Sequence, residues 1–183
     1  MEPIFIWWIG EAEPGEALMD HVRGHLGRAF DRPSVLWSSP ARPSGAYDAR
    51  RNQHQTAPIL SWLLESGPQQ GKVLGVTDLD LFIPILTYVF GEAQLGGRAA
   101  VCSTARLVEG VELVGPRLLH ERIAKEAVHE VGHAFGLHHC DNPRCVMGRS
   151  AGLGGVDGKS HELCGTCRQR LRQPPAVRRP HGE

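Results

Sequence analysis

The chemistry of this chain is concentrated in the run His129-Glu130-Val131-Gly132-His133-Ala134-Phe135-Gly136-Leu137-His138-His139. Histidines four apart on a helix share one face, about one turn apart, and so can reach the same metal ion. Glu130 follows the first of them, where its carboxylate can reach a water on that ion without binding the ion itself. His139 cannot join by continuation of the helix, because its side chain would then point well away from the shared face. Gly136 removes the obstacle: glycine takes a left-handed backbone at little cost, so the chain can turn and bring His139 back under the metal. Three histidines leave a fourth position for water, whose pKa zinc lowers to roughly 7. The expected reaction is hydrolysis: Glu130 takes the water's proton, directs attack on a peptide carbonyl and passes the proton to the leaving amine. A fortuitous His-Glu-x-x-His is conceivable in a chain with 10 histidines. The added requirement for Gly136 and His139 makes a catalytic-type zinc site the better reading. His138 lies off the spacing and reads as a solvated or supporting residue. His21, His25, His54, His120, His161 and His181 have no spacing argument and read as structural or surface groups.

A second set of ligands follows at once. Cys140 and Cys145, then Cys164 and Cys167, form two close pairs among five cysteines. Paired thiols at such spacing suit a closed, four-thiolate structural zinc. It would tie a short C-terminal helix to the body, where apolar packing looks thin. The start of the chain is apolar but short and opens with an acid, so it reads as a buried strand and not as a signal peptide; no pro-segment is expected ahead of it. A cytoplasmic, reducing setting follows, in which clustered thiols point to metal and not to disulfides. Cys102 stands alone and reads as a small buried strand residue near the cleft, with a thiolate latch on the catalytic zinc as the alternative.

His129-Glu130-x-x-His133-x-x-Gly136-x-x-His139-Cys140-x4-Cys145-x-Met147, followed by Cys164-x-x-Cys167, resembles the archaemetzincins, a family of the metzincin clan of zinc metalloproteases. The motif spans residues 129–167, and the rest of the chain is compatible in length and in strand–helix order. The loop between Met147 and Cys164 is about one residue shorter than the family pattern. In a glycine-rich stretch that does not threaten the ligand assignment. The resemblance implies catalytic zinc on His129, His133 and His139, with Glu130 as the catalytic residue. It also implies structural zinc on Cys140, Cys145, Cys164 and Cys167, and Met147 as the Met-turn methionine forming a floor beneath the catalytic ion. It implies a peptidase acting on a peptide or protein held in a horizontal cleft. Residues 1–136 would form an upper subdomain with the active-site helix, 137–173 a lower one with the Met-turn and four-cysteine site, and 174–183 a flexible tail. Neither of the two tyrosines, Tyr47 and Tyr88, lies near the Met-turn as a fifth ligand.

The elements that must position these groups are legible in outline. Ile4–Ile9, Val35–Ser38 and Lys72–Leu79 read as strands. Glu16–Phe30 and Thr56–Leu64 read as amphipathic helices. Residues 39–52 read as loop. Tyr88–Ser103 reads as a glycine-interrupted hairpin with an exposed edge, onto which an extended peptide could add as a further strand; Arg98–Val101 is the candidate stretch, and a plain hairpin turn is the alternative. Arg117–Phe135 is the long active-site helix, started by Pro116 and stopped by Gly136, and Cys164–Leu171 is a short one. Strands alternating with helices predict a single α/β domain: a metzincin-like mixed sheet with packed helices and a small zinc-stabilised C-terminal part.

A chain of 183 residues with 41% hydrophobic and 22% charged residues fits one ordinary globular domain. Its formal charge is zero, which gives no general attraction to nucleic acid or anionic membrane, and no segment is long enough to span a bilayer. A nucleic-acid zinc module would rest on Arg168, Arg170, Arg172, Arg178 and Arg179, which read better as a solvated face and tail. The remaining alternative is a protein of the same fold that keeps zinc and binds or scaffolds peptides while cleaving little.

Overall fold

The computed structural model describes residues 1–39 and 41–172. The expectation of a flexible tail over 174–183 lies outside the described residues. Five strands form the main sheet: β1 (Ile4–Trp8), β2 (Ser34–Trp37), β5 (Lys72–Thr77), β7 (Gly91–Ala93) and β8 (Ala99–Ser103). Their spatial order is β2-β1-β5-β8-β7. The first four run parallel, and β7 closes the sheet antiparallel to β8, with Gly91 opposite Cys102 and Ala93 opposite Ala100. Helices α1 (Glu16–Phe30), α2 (Thr56–Ser66) and α4 (Pro116–Ala134) cover it.

Alternation along the strands decides which helix meets which face. Ile4 and Ile6 of β1, Leu74 and Val76 of β5, and Ala100 and Cys102 of β8 share one core with α1 and α4. The intervening Trp7, Val73, Ala99 and Val101 share the other with Ile59, Leu60 and Leu63 of α2. Burial on both faces explains the near-continuous apolar run of the parallel strands. From α4, Ile123, Val128 and Val131 are fully buried, each side chain contributing about 1.5–3 kcal/mol. That anchors the helix carrying His129, Glu130 and His133.

The sequence reading places α1 at its observed ends and the other long elements within two residues or so. It misses a second, three-stranded sheet of β3 (Tyr47–Asp48), β4 (Gln53–Gln55) and β6 (Leu81–Phe82), the first of which falls in the expected loop 39–52. It also misses the short helices α3 (Val111–Val114) and α5 (Leu153–Gly158). Strands of two or three residues are too short to show a period. The last helix, α6, runs Gly165–Arg172. One expectation is corrected. Arg98–Val101 is not an exposed edge, because β8 is hydrogen-bonded on both sides; the edge on that side of the sheet is β7.

Candidate active site

The helix α4 ends in a turn that the sequence specifies. Gly136 has φ +87°, its N–H donates to the His133 carbonyl at 2.8 Å, and the Leu137 N–H donates to the Gly132 carbonyl at 2.9 Å. This pair of bonds is a Schellman motif. It reverses the chain and sets His139 against the helical histidines. Ring centroids lie 4.7 Å apart for His129 and His133, 5.3 Å for His129 and His139, and 4.8 Å for His133 and His139. One nitrogen from each ring falls within 4.8 Å of the others.

Hydrogen bonds fix the tautomers. His129 Nδ1 lies 2.8 Å from the Val146 carbonyl and His133 Nδ1 lies 2.7 Å from the Leu137 carbonyl. A carbonyl only accepts, so each Nδ1 carries the proton and each Nε2 is left with a lone pair. Burial lowers the pKa of His129 well below its ordinary value and that of His133 below it too, which keeps both rings neutral. Two neutral Nε2 atoms then face each other at 3.1 Å. Facing lone pairs repel unless an electrophile lies between them, and imidazole donors with the Nδ1–H so engaged suit zinc. The residues therefore fit a metal ion.

Glu130 is 5% exposed at the same level of the helix. Burial, then the charge of Glu126, pushes its carboxyl well above the usual range. Such a carboxyl is a stronger base than a solvated one, while a cation beside it pulls the value back down. Gly91 of β7 makes its position possible: a Cβ there would sit 2.6 Å from the Val101 carbonyl oxygen and 2.7 Å from Glu130 Cγ. Gly132 does the same beneath the histidines, since a Cβ there would collide with the Met147 sulfur. Met147 is fully buried, and its carbonyl accepts from the Cys140 N–H at 2.9 Å.

The four cysteines converge as well. Cys140 and Cys164 sulfurs are 3.7 Å apart, Cys145 and Cys167 sulfurs 3.8 Å. A disulfide would need about 2.05 Å, whereas a tetrahedral ion with Zn–S bonds of about 2.3 Å sets edges of about 3.8 Å. The Cys164 thiol is lowered to about 7, first by a backbone hydrogen bond at Cys167, which favours the thiolate. Cys102 is fully buried in β8 and belongs to neither donor set. Burial, then the charges of Glu130 and Glu126, raises its pKa well above the ordinary value, so it is a protonated core thiol. His138 is exposed and stands outside the donor set.

A cleft of about 790 Å³ opens over the three histidines, between the edge strand β7 and the segment Arg149–Ala151. Its walls include Ile83, Leu86, Tyr88 and Leu95, and it reaches Glu126 and Lys159. Those last two are absent from the sequence reading: nothing in their spacing marks them, because tertiary folding alone brings residue 159 to the α4 face. Arg168, one basis for a nucleic-acid reading, is paired with Glu162 at 2.9 Å. No helix among the described residues is long and apolar enough to cross a membrane.

Residues 69–173 match the model of peptidase family M54. The archaemetzincin of Methanopyrus kandleri is 36% identical over 157 residues, covering 86% of this chain and 87% of the relative. Its crystal structure superposes with a TM-score of 0.84 at 34% identity, covering 92% of each chain. The crystal structure of a zinc-dependent peptidase from Methanocorpusculum labreanum gives a TM-score of 0.78 at 29% identity, over 92% of this chain and 99% of that one.

Proposed function

This chain belongs to the archaemetzincins, peptidase family M54, and is a zinc-dependent peptidase; we propose that it cuts an extended peptide at the three-histidine site with Glu130 as general base. The observation that carries the reading is the convergence of His129, His133 and His139 beside a buried glutamate on the floor of an open cleft. His129, His133 and His139 would hold the catalytic zinc, and Cys140, Cys145, Cys164 and Cys167 a structural one. The catalytic ion, when bound, supplies a Lewis acid that polarises a carbonyl and acidifies a water molecule.

The chain's own residues do the rest. Glu130 takes a proton from the attacking water as the new carbon–oxygen bond forms. It hands that proton to the amide nitrogen as the carbon–nitrogen bond breaks. Gly91 keeps the carboxylate against the sheet edge. Met147 packs under α4 beside Gly132 as the Met-turn floor. The β7 edge holds the peptide by main-chain bonds, which supports broad sequence tolerance. The turn at Gly136, after which come both the third histidine and the four cysteines, supports a division into an upper part (1–136) and a lower part (137–173). Thiols held at a metal-site spacing support a reducing compartment such as the cytoplasm.

Zinc content and turnover of an unstructured protein test this reading together. Elemental analysis is expected to give two zinc ions per chain. The open histidine site should empty first under a chelator, with turnover falling in step and restored by zinc. One metal per chain, or activity that survives loss of the first ion, would contradict it.

A further inference from the structure

One wall of the cleft is a loop held in place from outside. Between β6 and β7 the chain runs Ile83-Pro84-Ile85-Leu86-Thr87-Tyr88, and Ile83, Leu86 and Tyr88 border the cavity over the three histidines. An antiparallel bridge of Leu81 with Val89 closes the neck of the loop. Inside it the Leu86 N–H donates to the Ile83 carbonyl at 3.1 Å, a turn with Pro84 at the second position that favours it.

The rest of the hold comes from side chains of the small second sheet. Arg51 Nη2 donates to the Leu86 carbonyl at 2.7 Å and to the Thr87 carbonyl at 2.9 Å. Its guanidinium lies over the Phe82 ring at 4.0 Å. Gln53 Nε2 donates to the Thr87 carbonyl at 2.9 Å, and Gln53 Oε1 accepts from Arg51 Nε at 3.0 Å. The same Nε2 donates to Asp80 at 3.1 Å. Asp80 accepts two bonds from Arg106 at 2.9 and 2.6 Å, and Arg106 lies over the Tyr88 ring at 5.1 Å. Arg51 is itself preset: the Asp48 carboxylate accepts from the Arg50 and Arg51 N–H groups at 2.8 and 3.2 Å, which fixes the turn between β3 and β4.

A rigid guanidinium on two adjacent carbonyls fixes the path of the loop at residues 86 and 87. Leu86 is thus held by its backbone, while its side chain borders the cavity. That side chain is 49% exposed, so a ligand can reach it. The edge strand β7 begins soon after, at Gly91, so a peptide added to that edge runs past this wall. An apolar wall gains from covering an apolar side chain and strips water from a charged one without replacing its hydrogen bonds.

Resting on the peptidase reading above, we propose that Leu86 is a specificity-determining residue that takes an apolar side chain of the substrate, such as Leu, Ile, Met or Phe, and that Arg51 and Gln53 are positioning residues that set the wall carrying it. The small sheet then has a task in the cleft: it fixes where substrate side chains find apolar surface.

Binding tests the wall apart from turnover. In a zinc-loaded Glu130→Gln protein, an eight-residue peptide is scanned one position at a time with Leu, Ser and Asp, and dissociation constants are measured. At one position Leu is expected to bind roughly tenfold more tightly than Ser or Asp, the scale of burying one aliphatic side chain. Leu86→Ser should cut that ratio to about twofold while the other positions keep their ranking. Arg51→Ala should cut it by a similar factor, and Arg51→Lys should recover part of it through a single donor. Arg51→Ala added to Leu86→Ser should change the ratio no further, because both act on one contact. An Arg51 that only stabilises the fold would lower the denaturant midpoint and leave the ratio alone. A flat profile at every position, or a ratio untouched by Leu86→Ser, overturns the subsite. A ratio untouched by Arg51→Ala, or one that falls further in the double variant, overturns the positioning role. If Arg51→Ala does not fold, Gln53→Met carries the same test. Absence of turnover in the zinc-loaded wild type would instead count against the peptidase reading, whatever the binding profile shows.

Discussion

At position 91 a side chain would strike the Val101 carbonyl at 2.6 Å and Glu130 Cγ at 2.7 Å. The first neighbour is backbone and cannot swing aside. Gly91→Ala should therefore lower stability by about 1–3 kcal/mol, the cost of overpacking. It should also lower turnover by on the order of 10², since small misplacements of a reacting group are expensive, while zinc content stays the same. Denaturant midpoints, kcat and metal analysis on one preparation check this, and an unchanged kcat would show that Gly91 does not position Glu130. The three histidines of the cleft differ from Gly91 in how far a sequence can reveal them. His129, His133, Gly136 and His139 are legible because their chemistry depends on local spacing along one helix and its Schellman turn. Gly91 and Gly132 act through partners distant in the chain, so no window of sequence contains the contact that requires a glycine there.

Among the elements, β7 is the one whose exposure bears on substrate. Its partner β8 is bonded to β5 on the far side, so of these two strands it is β7 that presents an unpaired edge beside the cleft. The Gln94 N–H donates to Ala99 and the Ser103 N–H to Phe90. Antiparallel pairs alternate, so the N–H groups of Gly91 and Ala93 point away from β8. Ala93→Pro removes an outward donor and leaves the ladder intact. It is expected to raise KM about 2- to 10-fold, the value of one hydrogen bond, with kcat and both zinc ions unchanged; peptide kinetics with an equal KM would place substrate elsewhere. The hairpin itself was readable over Tyr88–Ser103, but its outer strand was not. Both halves carry similar residues, and the choice between them is made by pairing with β5, a strand more than twenty residues earlier.

Across the whole molecule, α1, α4 and the segment before α6 meet at a histidine cluster with no part in the cleft. His21 and His25 rings lie 4.6 Å apart, and His25 stacks on His161 at 4.3 Å. His21 and His161 both face Glu121. Burial, then the charges of His161, His21 and Arg28, lowers His25 to about 4, and burial also lowers His21. In these folded-state histidines the neutral form is favoured, so the unfolded chain binds more protons between about pH 6.5 and 4. Their contribution to stability is complete above that window and is lost as pH falls through it. The urea midpoint should decline from pH 7 to pH 4, and His25→Gln should flatten part of the decline; parallel curves for the two proteins would contradict this origin. The fold class was readable from strand–helix alternation because two-sided burial writes apolar runs into the parallel strands. The small second sheet was not, because its strands are too short to carry a pattern. Peptide hydrolysis by this chain, as proposed, depends on Glu130 acting as a base beside a zinc ion that the three histidines would hold. The direct test is turnover of an unstructured protein by zinc-loaded wild type and Glu130→Ala, with zinc counted in both. The expected result is a loss of roughly 10²–10⁴ in kcat, with two zinc ions and the fold retained in the variant. Equal turnover in the two proteins would contradict the account.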